Sequence, residues 1–332
     1  MEREAMSSGN STSVSRHGTV MIPSEANAVN KAAPPSHVSV GNREVYTTGK
    51  WIKVARICDE ELVEGNPVPD AKAFLRELRN TGLGADMFSF AQRLPQTSPA
   101  YDYHCEWDNL AVIPISTYRD WWAGLSDPVQ RAVKKAKKLG VTLKEVELDD
   151  ELVRGIQEIY NENPVRQGRL FTHYDEDFDT VKQGNSTYSE RSMFLGAYFE
   201  GELIGFIRLT TVGAVAEVIQ ILSKMKHQEK RPTNALIAKA VELCEQKGIS
   251  YLKYCNYSYN DIDSSLTEFK RRNGFQKMLV PRYYIPLTLK GRVALKLGLH
   301  HSLMERIPTP LLTQLRNLRK LWYARRFSQK AA

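Results

Sequence analysis

The chain has 332 residues, 42% of them hydrophobic, and a formal charge of +8. That length suggests about two domains of roughly 100–200 residues each, with enough apolar material for a sizeable core. No stretch reaches the roughly 18 uninterrupted apolar residues of a membrane span, and no continuous apolar h-region of a secretory signal opens the chain. Cys58, Cys105, Cys244 and Cys255 lack both CxxC spacing and the density of a disulfide framework, so they read as reduced cytoplasmic thiols.

Residues 1–45 are rich in Ser, Asn, Thr, Gly and Ala, carry Pro34-Pro35 and show little periodicity, which predicts a disordered leader. Residues 46–140 alternate strand and helix patterns: strands at 51–57, 87–90 and 110–115, helices at 69–79, 118–124 and 128–139. The last helix sets Arg131, Lys134, Lys135, Lys137 and Lys138 beside an apolar stripe of Val129, Ala132, Val133, Ala136 and Leu139. Such a charge run is either a solvated face or a track for a phosphate-bearing partner. A helix at 149–161 begins on paired aspartates, which suit its N-terminal dipole. After it, Arg166, Arg169, His173 and Tyr174 surround Gly168 in a loop whose side chains suit an anion or a polar substrate; an exposed Arg-rich connection is the plain alternative.

Residues 191–286 read as strand, strand, strand, helix, strand, helix, strand. The runs at 193–199 and 203–209 are joined by Glu200-Gly201-Glu202, a hairpin-like link, and 214–222 follows Gly213. Pro232 suits the first turn of a helix that Gly248 ends. Residues 251–255 form a buried strand pattern, 265–272 a helix stopped by Asn273-Gly274, and 275–285 a last long strand.

That order resembles the GNAT acyltransferase superfamily, and within it the Fem-type branch that transfers aminoacyl groups in cell-wall peptide synthesis. The resemblance spans about residues 141–288. It rests on Leu195-Gly196-Ala197-Tyr198 with Gly201-Glu202-Leu203-Ile204-Gly205-Phe206, on Pro232-Thr233-Asn234-Ala235-Leu236, and on Phe269-Lys270-Arg271-Arg272-Asn273-Gly274-Phe275. It implies a mixed α/β (α+β) fold with a largely antiparallel central sheet, residues 46–140 being a candidate degenerate second half. Gly140-Val141-Thr142-Leu143 after a basic helix also resembles the Fem-type branch. GNAT enzymes that use coenzyme A usually place a glycine-rich turn before the helix at 232, where backbone N–H groups cradle a pyrophosphate. Here the turn is Lys230-Arg231-Pro232-Thr233-Asn234, without glycine and with one donor removed by proline. It is more similar to Fem-type proteins, which draw on aminoacyl-tRNA, though Lys230 and Arg231 supply charge for acyl-CoA.

Acyl transfer to an amine needs a base, an oxyanion donor and an acid. Glu217, inside the apolar run 215–222, is the candidate base if it faces the cleft, and burial would raise its pKa; alternation pointing it at solvent is the competing reading. Tyr257 is the candidate acid among the tyrosines that follow the strand at 251–255, and Asn256 beside it is a candidate substrate contact with Arg166, Arg169, His173 and Tyr174. Lys230, Arg231, Thr233, Asn234, Lys270 and Asn273 are the candidate donor-binding residues, with helix capping an alternative role for Asn234. Cys255 reads as a buried thiol. No cluster has metal-ligand spacing, no dinucleotide, P-loop or Gly-x-Ser-x-Gly motif is present, and no tightly bound cofactor is expected.

Residues 289–332 read as a basic amphipathic tail. From Leu287 onward ten Lys or Arg face one acid, Glu305, so the rest of the chain is near neutral. Leu311, Leu315, Leu318 and Trp322 at helical spacing suit an anionic membrane surface (residues 309–328), the protein's own core, or tRNA. The expected protein is thus an acyl- or aminoacyltransferase for an amine of a sugar, peptide or lipid-linked precursor, cytoplasmic and peripheral at the inner membrane face. Its rival is a non-catalytic module that recruits anionic partners through the tail. No DNA partner is expected.

Overall fold

The computed structural model describes residues 37–166, 168–259 and 264–301, with positions 314, 318, 319, 322 and 323. Most of the expected leader and tail lies outside the described residues. In chain order the elements are β1 (His37–Val40), β2 (Arg43–Thr48), β3 (Val54–Ile57), α1 (Ala71–Asn80), β4 (Met87–Ala91), β5 (His104–Pro114), α2 (Tyr118–Gly124), α3 (Asp127–Lys138), β6 (Thr142–Val146), α4 (Asp150–Asn161), β7 (Val165–Arg166), β8 (Arg169–Leu170), α5 (Phe178–Asn185), β9 (Ser192–Phe199), β10 (Glu202–Val212), β11 (Val215–Ser223), α6 (Pro232–Gln246), β12 (Tyr251–Asn256), α7 (Ser265–Arg272), β13 (Gln276–Pro286) and α8 (Leu289–Lys296).

Eleven of these strands form one sheet in the order β1-β2-β3-β4-β13-β5-β12-β11-β10-β9-β6. Its two parallel contacts are β3 with β4 and β11 with β12. The rest is antiparallel, so the fold is the mixed, largely antiparallel α/β class. Alternation sends neighbouring side chains of β9 and β10 to opposite faces. Leu195, Ile204 and Ile207 pack on α6, whereas Phe194, Leu203 and Phe206 pack on α4 and Val181 of α5. Helix α4 comes close because residue 155 is glycine: a Cβ there would meet Leu203 Cδ2 at 2.7 Å. Helix α6 is apolar on nearly every side because the sheet takes one face and α3 packs on another.

The sheet contains a repeat. In β2-β3-α1-β4 and again in β10-β11-α6-β12, an antiparallel pair is followed by a helix and a parallel strand. In both halves the parallel contact lasts three residues before the strands part: Val54–Arg56 beside Met87–Ser89, and Val215–Glu217 beside Tyr251–Lys253. The long strands β5 and β13 join the halves, β5 against β12 and β13 against β4. The last strand thus inserts between β4 and β5, and the sheet runs unbroken past residue 140.

Several expectations shift. Pairing begins at His37, inside the stretch read as leader, because Val38, Val40 and Val45 alternate onto the N-terminal core. The strand expected from 51 starts at Val54, and Trp51 is exposed. Strand β5 begins at His104, six residues before its apolar run, held there by pairing to β13. Residues 289–296, read as the start of the tail, form α8, whose Ala294 packs on Val54 and Met87.

At the last rung of the β11–β12 contact, Lys253 Nζ lies 2.7 Å from Glu217 Oε2, with the side chains 8% and 4% exposed. Removing one member of a buried pair costs about 3–5 kcal/mol, whereas replacing both by well-packed apolar groups is often near neutral. Glu217→Leu should therefore lose several kcal/mol in urea unfolding, and Glu217→Leu with Lys253→Met should recover most of it. Equal loss in single and double variants would remove the pair as the cause.

Candidate functional site

Beyond Glu217 and Lys253 the parallel pairing of β11 and β12 ends, so this ion pair sits where the two strands part. Burial pushes the Glu217 carboxyl up, and the Lys253 ammonium pulls it back part of the way. Lys253 is held charged against its own burial by Glu217 and by Glu61, whose carboxylate lies 3.7 Å away. The Cys255 N–H donates to Glu217 Oε1 at 3.4 Å, and Cys255 has the left-handed φ of 48°. One wall carries a bulge: Arg208 faces Gln220 and Leu209 faces Val218, so Ile219 has no partner on β10. Bulges leave one backbone unit outside the ladder and are frequent beside active sites.

After β11 the chain runs on to the start of α6. Arg231 stands at its N-cap in the left-handed conformation (φ 57°, ψ 40°) with no side-chain cap, and Pro232 is the first helical residue. Beside it lies a cavity of about 460 Å³ lined by α3, α6 and α7, with Arg131, Lys135, Arg231 and Arg272 on its walls together with Asn234 and Asn273. Arg131, Lys135 and Arg231 form no ion pair among the described residues, while Arg272 is held by Glu268 at 2.5 Å. Asn234 Nδ2 donates to Asn273 Oδ1 at 2.9 Å and ties α6 to α7. The other cations of the turn are spent locally. Lys224 bonds Glu158 (2.7 Å) and Glu202 (2.6 Å), and Lys226 and His227 also reach Glu202. Burial alone would raise Glu202, but the hydrogen bonds from Lys224, Lys226 and His227 hold it down at about 2.

Of the expected donor-side residues, Arg231, Asn234 and Asn273 line this cavity. Thr233 bonds Ser223 at 3.1 Å, and Lys230 pairs with Glu229 and lies 4.4 Å over the Phe199 ring. Lys270 is turned inward. It is 0% exposed, donates to the Asn256 carbonyl at 2.5 Å and sits over the Tyr254 ring, and burial lowers its pKa to about 8.

Of the acceptor-side residues, Arg166 is structural: it donates to the Ser223 and Ile159 carbonyls and lies over Phe171. His173 stacks on Tyr160 at 4.9 Å and bonds Glu176 at 3.0 Å, and Tyr160 in turn donates to Gln220 on β11 at 2.6 Å. Burial, its largest perturbation, pushes Tyr160 up to about 12. Tyr174 is exposed, as is Arg169 in the short β7–β8 hairpin. The Tyr257 N–H donates to the Asn109 carbonyl at 2.8 Å and its ring packs on the core. Tyr259 lies under the Lys270 ammonium, and burial, with the Cys255 thiol nearby, raises its pKa. The sequence reading missed Lys253, Tyr259, Arg131, Lys135 and Arg272 as parts of one site. Only the parallel register at 217/253 and the packing of α3 and α7 beside α6 bring them together.

Residues 153–275 match the model of the acetyltransferase (GNAT) family. Over 84 residues the chain is 30% identical to the spermidine N(1)-acetyltransferase of Thermoplasma acidophilum. The match covers 25% of this chain and 50% of that protein, so the chain spans about half the length of the curated relative it matches. Among solved structures the fold is similar to FemX (TM-score 0.53, 10% identity, 80% of this chain and 88% of that one). It is also similar to the C-terminal domain of a putative lysylphosphatidylglycerol synthetase from Agrobacterium fabrum (TM-score 0.50, 11% identity, 79% and 87%).

Two outcomes follow. Arg231 holds a backbone conformation that costs a non-glycine residue about 1–2 kcal/mol. Arg231→Gly should therefore raise the melting temperature while weakening binding of a phosphate-bearing ligand; a fall in both would refute the strain. For Glu202, the folded pKa lies below the unfolded value, so its stabilisation is present above about pH 4.5 and fades as pH falls toward about 2. The melting difference between the wild type and Glu202→Gln should be clear near pH 6 and gone near pH 2. A constant difference would show that the lost stability is not electrostatic.

Proposed function

We propose that the chain is an N-acyltransferase that draws an acyl or aminoacyl group from a phosphate-bearing carrier and passes it to an amine. One observation carries this reading: the cavity at the start of α6 bears three cations that form no ion pair among the described residues, and we take the gap between β11 and β12 beyond Glu217 as the acyl cleft that reaches it. From Val218 to Ser223 the strand covers about 17 Å at roughly 3.3 Å per residue, a span that suits a phosphopantetheine arm or a tRNA 3′ end. The carrier's phosphate lies against Arg131, Lys135, Arg231 and the uncapped start of α6, where helix dipole and charge act together. Its acyl carbonyl lies at the bulge near Ile219, whose freed backbone unit offers an oxyanion donor.

Glu217, whose carboxyl is raised by burial, takes the ammonium proton through a water, and Lys253 fixes its carboxylate. Tyr259 joins Tyr257 as a candidate to return a proton to the leaving group. The acceptor amine enters past the β7–β8 hairpin, where Arg169 and Tyr174 are exposed. The amine of a sugar, a peptide or a lipid-linked precursor fits such a polar mouth, and a polyamine is the first acceptor to try because the curated relative is named for spermidine. The exposed Lys134, Lys137 and Lys138 continue the positive charge beyond the cavity along α3, which favours tRNA as the larger carrier. Leu318 and Trp322, more than half exposed beside Arg319, suit contact with an anionic lipid surface.

The test is a donor screen. Melting is followed with acetyl-CoA and with aminoacyl-tRNA, and a ligand at a hundredfold over its Kd should stabilise by about 2.7 kcal/mol, a shift of several degrees. Arg131→Glu with Lys135→Glu should abolish that shift, and Glu217→Gln should keep it while cutting turnover by about 10²–10⁴. Donor binding with wild-type turnover in Glu217→Gln would overturn the base assignment. Binding of anionic partners without turnover on any amine would leave the recruiting module as the function.

A further inference from the structure

The sequence shows no metal-spaced cluster, yet the fold gathers one. His104 and Glu106 are two residues apart on β5, so their side chains leave the same face of the sheet. His300 and His301 come from the turn that follows α8. The Nε2 atoms of His104, His300 and His301 lie 3.1, 2.7 and 3.3 Å from a single atom, Glu106 Oε1. The ligand atoms of His104, Glu106 and His300 all fall within 4.8 Å of one another. The His300 side chain is 2% exposed and its ring packs 4.5 Å from that of Tyr284, while His104 stands 47% exposed. One wall of the group is therefore fixed in the core and the other faces solvent.

We infer that His104, Glu106, His300 and His301 form a binding site for a divalent transition metal, with zinc the best match. Three imidazole nitrogens and one carboxylate oxygen meet the ligand type and number of four-coordinate zinc. They are a poor set for magnesium or calcium, which prefer oxygen throughout. Glu106 Oε1 now lies at the point on which the three nitrogens converge. Binding turns the carboxylate aside, and each nitrogen closes from about 3 Å to the 2.0–2.1 Å of a zinc–nitrogen bond, a movement of about 1 Å per ring. The ion joins residues 194 apart in the chain. It thereby ties β5, a central strand, to the point where the chain leaves α8 for its most basic segment. The metal has a structural role here, fixing the place from which that segment departs.

The test uses the full chain without a histidine tag, stripped with chelator and dialysed. Zinc is titrated calorimetrically, and cobalt(II) serves as a spectroscopic probe. The site predicts one equivalent bound and the intense visible bands of tetrahedral cobalt. His104→Ala removes a solvent-facing ring and so leaves folding intact; it should lower zinc affinity by more than about tenfold, as should Glu106→Gln. The melting shift with the acyl donor should be unchanged in His104→Ala, which separates this site from the transfer site. Absence of stoichiometric zinc binding, or equal affinity in the wild type and His104→Ala, overturns the assignment.

Discussion

The buried pair of Glu217 and Lys253 is the constraint on which the site depends. A parallel contact of three residues gives few backbone hydrogen bonds to hold two strands together. Immediately beyond it the strands must part if anything is to enter between them. An ion pair at the final rung fixes where parting begins, because either charge alone in that position would be a costly orphan. Glu61 reaches Lys253 from the N-terminal half, so the pair also couples the two repeats. The group that closes the cleft is the same group whose pKa burial raises, so position and chemistry have one cause.

The two halves of the repeat differ at the positions that the proposed site uses. The N-terminal counterpart of Glu217 is Arg56 and that of Lys253 is Ser89. The connections to the following helices also differ in sign. Between β3 and α1 the chain carries Asp59, Glu60, Glu61, Glu64 and Asp70, whereas between β11 and α6 it carries Lys224, Lys226, His227, Lys230 and Arg231 with one acid, Glu229. Acidic side chains at a helix entrance repel a phosphate, and two of these are drawn inward. Glu60 bonds Arg282 and the Ala91 N–H, and Glu61 faces Lys253. In the N-terminal half these carboxylates thus neutralise cations of the C-terminal strands β12 and β13.

Much of this was legible in the sequence because local signals were strong. Gly201 and Gly213 set the hairpins, Pro232 started α6, and Asn273-Gly274 stopped α7, so the strand and helix order from 191 to 286 followed from periodicity. Strands β1 and β2 are hard to see in sequence because the short alternation of Val38, Val40 and Val45 follows directly on a polar, proline-bearing stretch. Half of β5 was missed because His104–Asn109 owes its extension to β13, more than 160 residues away. The site residues divided the same way. Glu217 stood out as a charge in an apolar run. Lys253 did not, since a lysine in a strand is ordinarily exposed, and only the parallel register puts it opposite Glu217. Lys270 and Arg166 looked like anion binders because sequence gives charge without direction; the fold turns both toward backbone carbonyls. The histidine cluster has no local signature at all.

Hydrogen exchange with and without saturating acyl donor tests the central claim most directly, because it reports where along the chain the ligand acts. A donor lying along the C-terminal cleft protects residues 218–235 and 264–273, together with the outer face of α3, and leaves 57–71 unchanged. Protection confined to the N-terminal half, or to the segment beyond α8, would contradict the assignment of the site to the cleft that Glu217 and Lys253 close.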